Sequence, residues 1–307
     1  MKRFLAKHSP LIILGLLCLV LAAVSEDFRK PDNLQQVALR TAVIAIIATG
    51  ELLVILTGGI DLSVGSVAAL SGVVGGLSMK AGVPVILAIV IGTLVGGLCG
   101  FINGALVTLL RIPPFIVTLG MMMAARGIAL IIANSQPVFG LPPEFDYLGG
   151  SRGWWIPVSI MMTVVVLATI MLAYTRFGRG LYAVGGNLQA ARLSGLNVIG
   201  IRGAAFTLCG LAAGFGGMML ASYTGVASPL DAEMYELDAI AACVIGGTSL
   251  MGGEGGAPGV LAGALIMKVL VNFCNLHDID PHWQRVLVGG LIVALVGYDN
   301  FRKRRAY

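Results

Sequence analysis

Long apolar runs separated by short polar breaks dominate this chain. Read on hydropathy, they predict membrane-spanning helices near residues 9–24, 34–57, 62–79, 84–110, 113–133, 157–174, 201–222, 235–250, 257–275 and 283–298. That makes ten crossings of an all-α, polytopic helical bundle, in a single transmembrane domain over residues 1–307. In the fourth run Gly92, Gly96, Gly100 and Gly104 recur every four residues, a stripe that lets another helix approach to backbone contact. Gly210, Gly214 and Gly217 do similar work in the seventh. Such stripes are packing surfaces, within or between subunits.

Two glycine-rich segments interrupt the pattern, residues 57–66 (TGGIDLSVGS) and 246–256 (GGTSLMGGEGG). Non-helical backbone at membrane depth survives only where protein buries it or water reaches it. The first break, with Asp61, Ser63 and Ser66, therefore points to a pathway lining. It equally fits a turn in which Asp61 caps the next helix.

Composition fixes the class. Hydrophobic residues make up 57% of the chain and charged residues 11%, against roughly 25% charged in soluble domains. The net charge of +5 reports topology before it reports nucleic acid. With the N-terminus inside, twelve basic residues fall in cytoplasmic segments (among them Arg111, Arg176, Arg179, Arg192, Arg202 and the cluster at 302–305) and four outside (Arg29, Lys30, Lys80, Arg152). This distribution puts both termini and the polar island at 175–202 in the cytoplasm. The apolar run that starts the chain, after Lys2, Arg3 and Lys7, reads as an uncleaved first span, with a cleaved signal peptide as the alternative. Trp154 and Trp155, in the longest outer loop, read as an interfacial anchor.

Chemistry is sparse. Five isolated cysteines indicate neither a disulfide framework nor a metal cage, and HDIDPH at 277–282 matches no metal-ligand spacing. GxxxxGK[ST] and HExxH are absent, so a Walker-type nucleotide site is not expected in this chain, and neither is a metal site or a catalytic residue. Glu51, Arg126, Asp238 and Lys268 lie within apolar runs, where each must face protein or water; Arg126 and Lys268 lie deepest, while Glu51 and Asp238 are near enough to a boundary to snorkel or cap. On polarity alone Glu51, Asp61, Ser63, Asn103, Arg126 and Asp238 are the candidates for a translocation pathway.

Within the island, Asn187 suits an N-cap, residues 188–194 are mostly good helix formers, and Gly195 suits the left-handed position after a helix. So short a helix needs something packed on it. Small Ala190 and Ala191 admit a close neighbour. A docked protein and a headgroup-level interfacial helix favoured by Arg176, Arg179 and Arg192 both satisfy that need.

Three segments, VILTGGIDLSVGS (54–66), TRFGRGLYAVGGNLQAARLSGLNV (175–198) and YELDAIAACVIGGTSLMGGEG (235–255), closely resemble the transmembrane subunits of bacterial ribose/xylose-type sugar ABC importers. Branched-chain amino-acid permeases fit the first segment less well. The resemblance implies a vitamin B12 importer-like (type II) architecture, a second permease subunit, a periplasmic sugar-binding protein and a cytoplasmic ATPase that binds ATP and Mg, with no cofactor in this chain. It also implies that Asn187, Leu188, Ala190, Ala191, Arg192, Leu193, Ser194 and Gly195 form the element that couples to the ATPase. The competing readings are a stand-alone cation-coupled transporter using Glu51 or Asp238, which has no need of a capped cytoplasmic helix, and an ABC permease for a non-sugar solute.

Overall fold

The computed structural model describes residues 2–150, 152–280, 282–284, 286–290 and 297. Its helices are α1 (Lys2–Val24), α2 (Pro31–Leu56), α3 (Val64–Lys80), α4 (Val85–Leu109), α5 (Pro114–Ile132), α6 (Asp146–Gly149), α7 (Trp155–Tyr174), α8 (Arg176–Gly186), α9 (Leu188–Leu193), α10 (Val198–Thr224), α11 (Tyr235–Ile245) and α12 (Ala257–Leu276). Six of these, α2, α4, α5, α7, α10 and α12, are long and apolar enough to cross a membrane. Half of the predicted tenth run, 283–298, lies outside the described residues. The chain is a polytopic helical membrane bundle. Helices α8 and α9 sit at one end of it, called here the island end.

Helix α2 is the axis. Every residue from Thr41 to Leu56 is buried, so this helix is enclosed by protein on all sides. Helix α10 packs along it where Gly50 meets Cys209 and Gly216 meets Ile47. The glycine stripe of α4 lies against α10 within the same chain: Gly96 faces Gly210 and Gly214, Gly100 faces Phe206 and Gly210, and Gly104 faces Gly203. Any Cβ at these positions would meet backbone. Gly217 serves another contact, against Ala68 of α3. Leu94, Leu98, Met123 and Leu167 point outward from α4, α5 and α7, which form the apolar exterior.

Two crossings are incomplete helices. With 17 residues, α3 spans about 26 Å, and with 11 residues α11 spans about 17 Å, against a hydrocarbon core of about 30 Å. This corrects the expected span over 235–250, whose helix stops at Ile245. The missing lengths are supplied by irregular segments entering from opposite ends. From the island end, residues 57–63 double back beside α2, with Gly59 N–H bonded to Val54 O and Asp61 N–H to the Glu51 carboxylate. Glu51 lies five residues before the end of α2, so the doubled-back segment climbs about 7 Å into the bundle. From the other end, residues 225–234 descend from a backbone pairing of Ala227 with Val138. Arg126 holds this segment by donating to the carbonyls of Pro229 (2.6 Å) and Asp231 (2.9 Å). At its foot Ala232 O and the Glu236 carboxylate lie against Gly65, so the N-termini of α3 and α11 meet inside the bundle.

Candidate functional site

The island is a chain of capped turns. Thr175 Oγ1 accepts from Gly178 N–H (3.0 Å) to start α8, Asn187 Oδ1 from Ala190 N–H (2.9 Å) to start α9, and Asn197 Oδ1 from Gly200 N–H (2.9 Å) to start α10. Helix α9 ends in a paired closure, Leu196 N–H to Ala191 O (3.1 Å) and Gly195 N–H to Arg192 O (3.0 Å), with Gly195 left-handed at φ 77°.

The neighbour that a six-residue helix requires is found in the chain itself. Ala191 is buried against Val184 of α8 and Val198 of α10, with Leu188 and Ile201 closing over it. The shortness of α9 therefore does not by itself demand a second protein, and Ala191 faces inward rather than toward a partner. Ala190, Arg192, Leu193, Ser194 and Gly195 remain outside, and Leu193 is 90% exposed.

Beneath the island three backbones meet. Gly253 N–H donates to Leu56 O at the end of α2 (3.0 Å), and a Cβ at Gly185 would strike both atoms. Gly252 and Gly253, at φ 88° and 75°, bring the turn between α11 and α12 against Gly185 and Gly186. Tyr182 donates its hydroxyl to Gly255 O (2.8 Å), and burial pushes that phenol above its usual range. Tyr182 and Gly185 were not among the sequence-predicted residues; the two glycine-rich breaks and the polar island were visible, their convergence was not.

The structure brings together four of the six pathway candidates. Glu51 Oε1 accepts from Asp61 N–H (3.0 Å), and Glu51 Oε2 accepts from the Cys209 thiol (3.6 Å). Asp61 Oδ1 accepts from Ser63 N–H (2.8 Å) and Ser63 Oγ (2.6 Å), while Asn103 Nδ2 donates to Ser63 Oγ (3.0 Å). Glu51 and Asn103 are fully buried, Asp61 and Ser63 nearly so. The expectation that Glu51 could snorkel is corrected: it is enclosed five residues from the helix end and anchors the doubled-back segment. The remaining two stand apart. Arg126 clamps residues 229–231, and Asp238 pairs with Lys268 across α11 and α12 (2.9 Å), instead of capping α11. The Lys268 ammonium also lies 5.5 Å from the Tyr235 ring centroid.

At the end opposite the island, a cleft of about 560 Å³ is lined by Gln35, Gln36, Trp154 and Tyr223. The Tyr223 hydroxyl donates to Gln36 Oε1 (2.9 Å) and accepts from Arg40 (3.3 Å). Amides, a hydroxyl and an exposed indole face give it the character of a polar-solute mouth.

A membrane bundle with deep broken segments, polar groups held inside it and a structured polar loop at one end has the features of a transport permease. The chain belongs to the family described as branched-chain amino acid transport system, permease component, whose model matches residues 33–296. It is similar to the ribose import permease protein of Escherichia coli, 39% identical over 305 residues that cover 97% of this chain and 95% of the relative. The D-allose transport system permease protein of Escherichia coli is 37% identical, covering 96% of this chain and 92% of the relative. The L-arabinose ABC transporter permease protein of Azospirillum brasilense is 39% identical, covering 91% and 83%. No solved structure matches the chain. The protein is a multi-pass inner-membrane permease.

Proposed function

We propose that this chain is the permease subunit of an ATP-binding-cassette importer that passes a monosaccharide across the bacterial inner membrane by alternating access, with both termini and the island in the cytoplasm. The relatives' substrates, ribose, allose and arabinose, support the sugar, and the amide- and indole-lined cleft suits a neutral polyol. A cytoplasmic ATPase, binding ATP and Mg, docks on the island. A periplasmic binding protein delivers sugar to the opposite end, and a second permease subunit closes the pathway against the face where Arg126 lies within electrostatic reach of Glu233 and Glu236. Charged groups at that depth are costly against lipid, which is the reason to assign this face to water and protein.

The observation that carries the reading is α9: rigidly capped at both ends, anchored inward by Ala191, and presenting Leu193 outward. An exposed leucine on a rigid helix suits a groove in a second protein. Closure of paired ATPases would push on α9, and the junction of Gly185, Leu56 and Gly253 would pass the push to α2 and α11.

The test is uptake of radiolabelled pentoses and hexoses by cells carrying the assembled importer. Leu193→Asp is expected to lower uptake at least tenfold with unchanged membrane content of the protein, and Gly195→Pro to do the same because proline cannot adopt φ 77°. Full uptake in both variants removes the docking assignment. Uptake stopped by a protonophore while ATP is maintained removes the ATP-driven reading.

A further inference from the structure

Below the island two adjoining hollows share Thr108 and Ile199. In the first, about 240 Å³, Arg111 from the turn after α4, Arg192 from α9 and Arg202 from α10 converge. None of the three forms an ion pair with a carboxylate among the described residues. Arg202 Nε is buried and finds no acceptor among the described residues. Three guanidinium groups gathered without a counter-charge among the described residues repel one another, and the arrangement favours an anion.

The second hollow, about 610 Å³, is an apolar groove between α4 and α10. Gly200, Gly203 and Ala204 form its floor, and Phe101, Leu109 and Phe177 its walls. It follows roughly the first 15 Å of α10 from the island end. A Cβ added at Gly203 would meet nothing within 4 Å, so the floor opens onto free space.

We propose that the two hollows form one site for an anionic phospholipid, its headgroup phosphate on the three arginines and an acyl chain along the groove. The planar fork of arginine matches phosphate oxygens, and basic pockets between transmembrane helices bind acidic headgroups. An inorganic phosphate or an acidic protein surface would satisfy the arginines and leave the groove uncovered; a neutral lipid would fill the groove and leave three charges uncompensated. Only an anionic lipid meets both halves. Because Arg192 belongs to α9, the bound lipid fastens the island to the membrane.

The experiment is native mass spectrometry of the full-length chain released from detergent, titrated separately with phosphatidylglycerol, phosphatidylcholine and inorganic phosphate. Phosphatidylglycerol is expected to bind at least tenfold more tightly than phosphatidylcholine and to resist displacement by inorganic phosphate. Arg111→Gln, at an exposed side chain, is expected to weaken phosphatidylglycerol about fivefold and phosphatidylcholine little. Gly203→Leu, which fills the groove, is expected to weaken both lipids. Equal affinity for the two lipids, full displacement by inorganic phosphate, or unchanged lipid binding by Gly203→Leu each overturns the proposal. Expulsion of the lipid when two copies of the chain associate overturns it as well, since the groove would then be a subunit contact.

Discussion

Glu51 shows how one residue can hold a membrane fold together. Its carboxylate accepts the Asp61 N–H of a segment that has no helical partner for that donor, and both residues are buried there. Glu51→Gln keeps a carbonyl acceptor, whereas Glu51→Ala leaves the N–H orphaned at about 1–3 kcal/mol. Thermal unfolding in detergent is expected to show a lower midpoint for Glu51→Ala than for Glu51→Gln. Equal midpoints would show that the Asp61 N–H does not depend on this acceptor. Ala191 and Leu193 make a second pair of opposites, two positions apart on α9, one buried within the chain and one exposed. Ala191→Asp is expected to loosen the island and speed proteolysis within 175–197 in the permease alone. Leu193→Asp should leave that proteolysis unchanged while it lowers uptake.

Among the elements, α4 and α10 depend on each other through small residues. Apolar side chains gain little by leaving lipid for protein, so close backbone approach must supply the attraction. Gly100→Val would place a branched side chain against Phe206 O and Gly210 and force the two helices apart. The expected destabilisation is about 1–3 kcal/mol, read as a lower melting midpoint or reduced membrane content. The same substitution at Gly203 meets open space and is expected to be close to neutral for stability. A comparison of the two glycines separates helix contact from helix propensity, because both sit in helix interiors.

On the scale of the whole molecule, the island, the end of α2 and the turn between α11 and α12 form one backbone junction at a single end of the bundle, with α3 and α11 starting deep inside. A cysteine at Leu193 is expected to react with a membrane-impermeant maleimide only from the cytoplasmic side, and one at Phe139 only from the periplasmic side. The reverse pattern would invert the proposed orientation. Purified permease alone in liposomes is expected to build no sugar gradient, with accumulation appearing only when ATPase and binding protein are added.

Much of this was already legible in the sequence. Hydropathy depends on each segment's own transfer free energy, so the helices that cross at full length fall close to the predicted runs. Caps depend on neighbours a few residues away, so Asn187 and Gly195 announced α9 before any tertiary structure was known. The tertiary structure alone decided which surfaces meet: that the α4 stripe turns to α10 of its own chain, that Ala191 points inward, that Asp238 pairs with Lys268, and that Glu51 and Asp61 join across the doubled-back segment. It also decided that α3 and α11 stop short of a full crossing. An apolar residue has nearly the same transfer free energy in a complete helix, a half helix or a buried irregular segment, so hydropathy cannot separate them. That distinction comes from hydrogen bonds and backbone contacts between residues far apart in the chain.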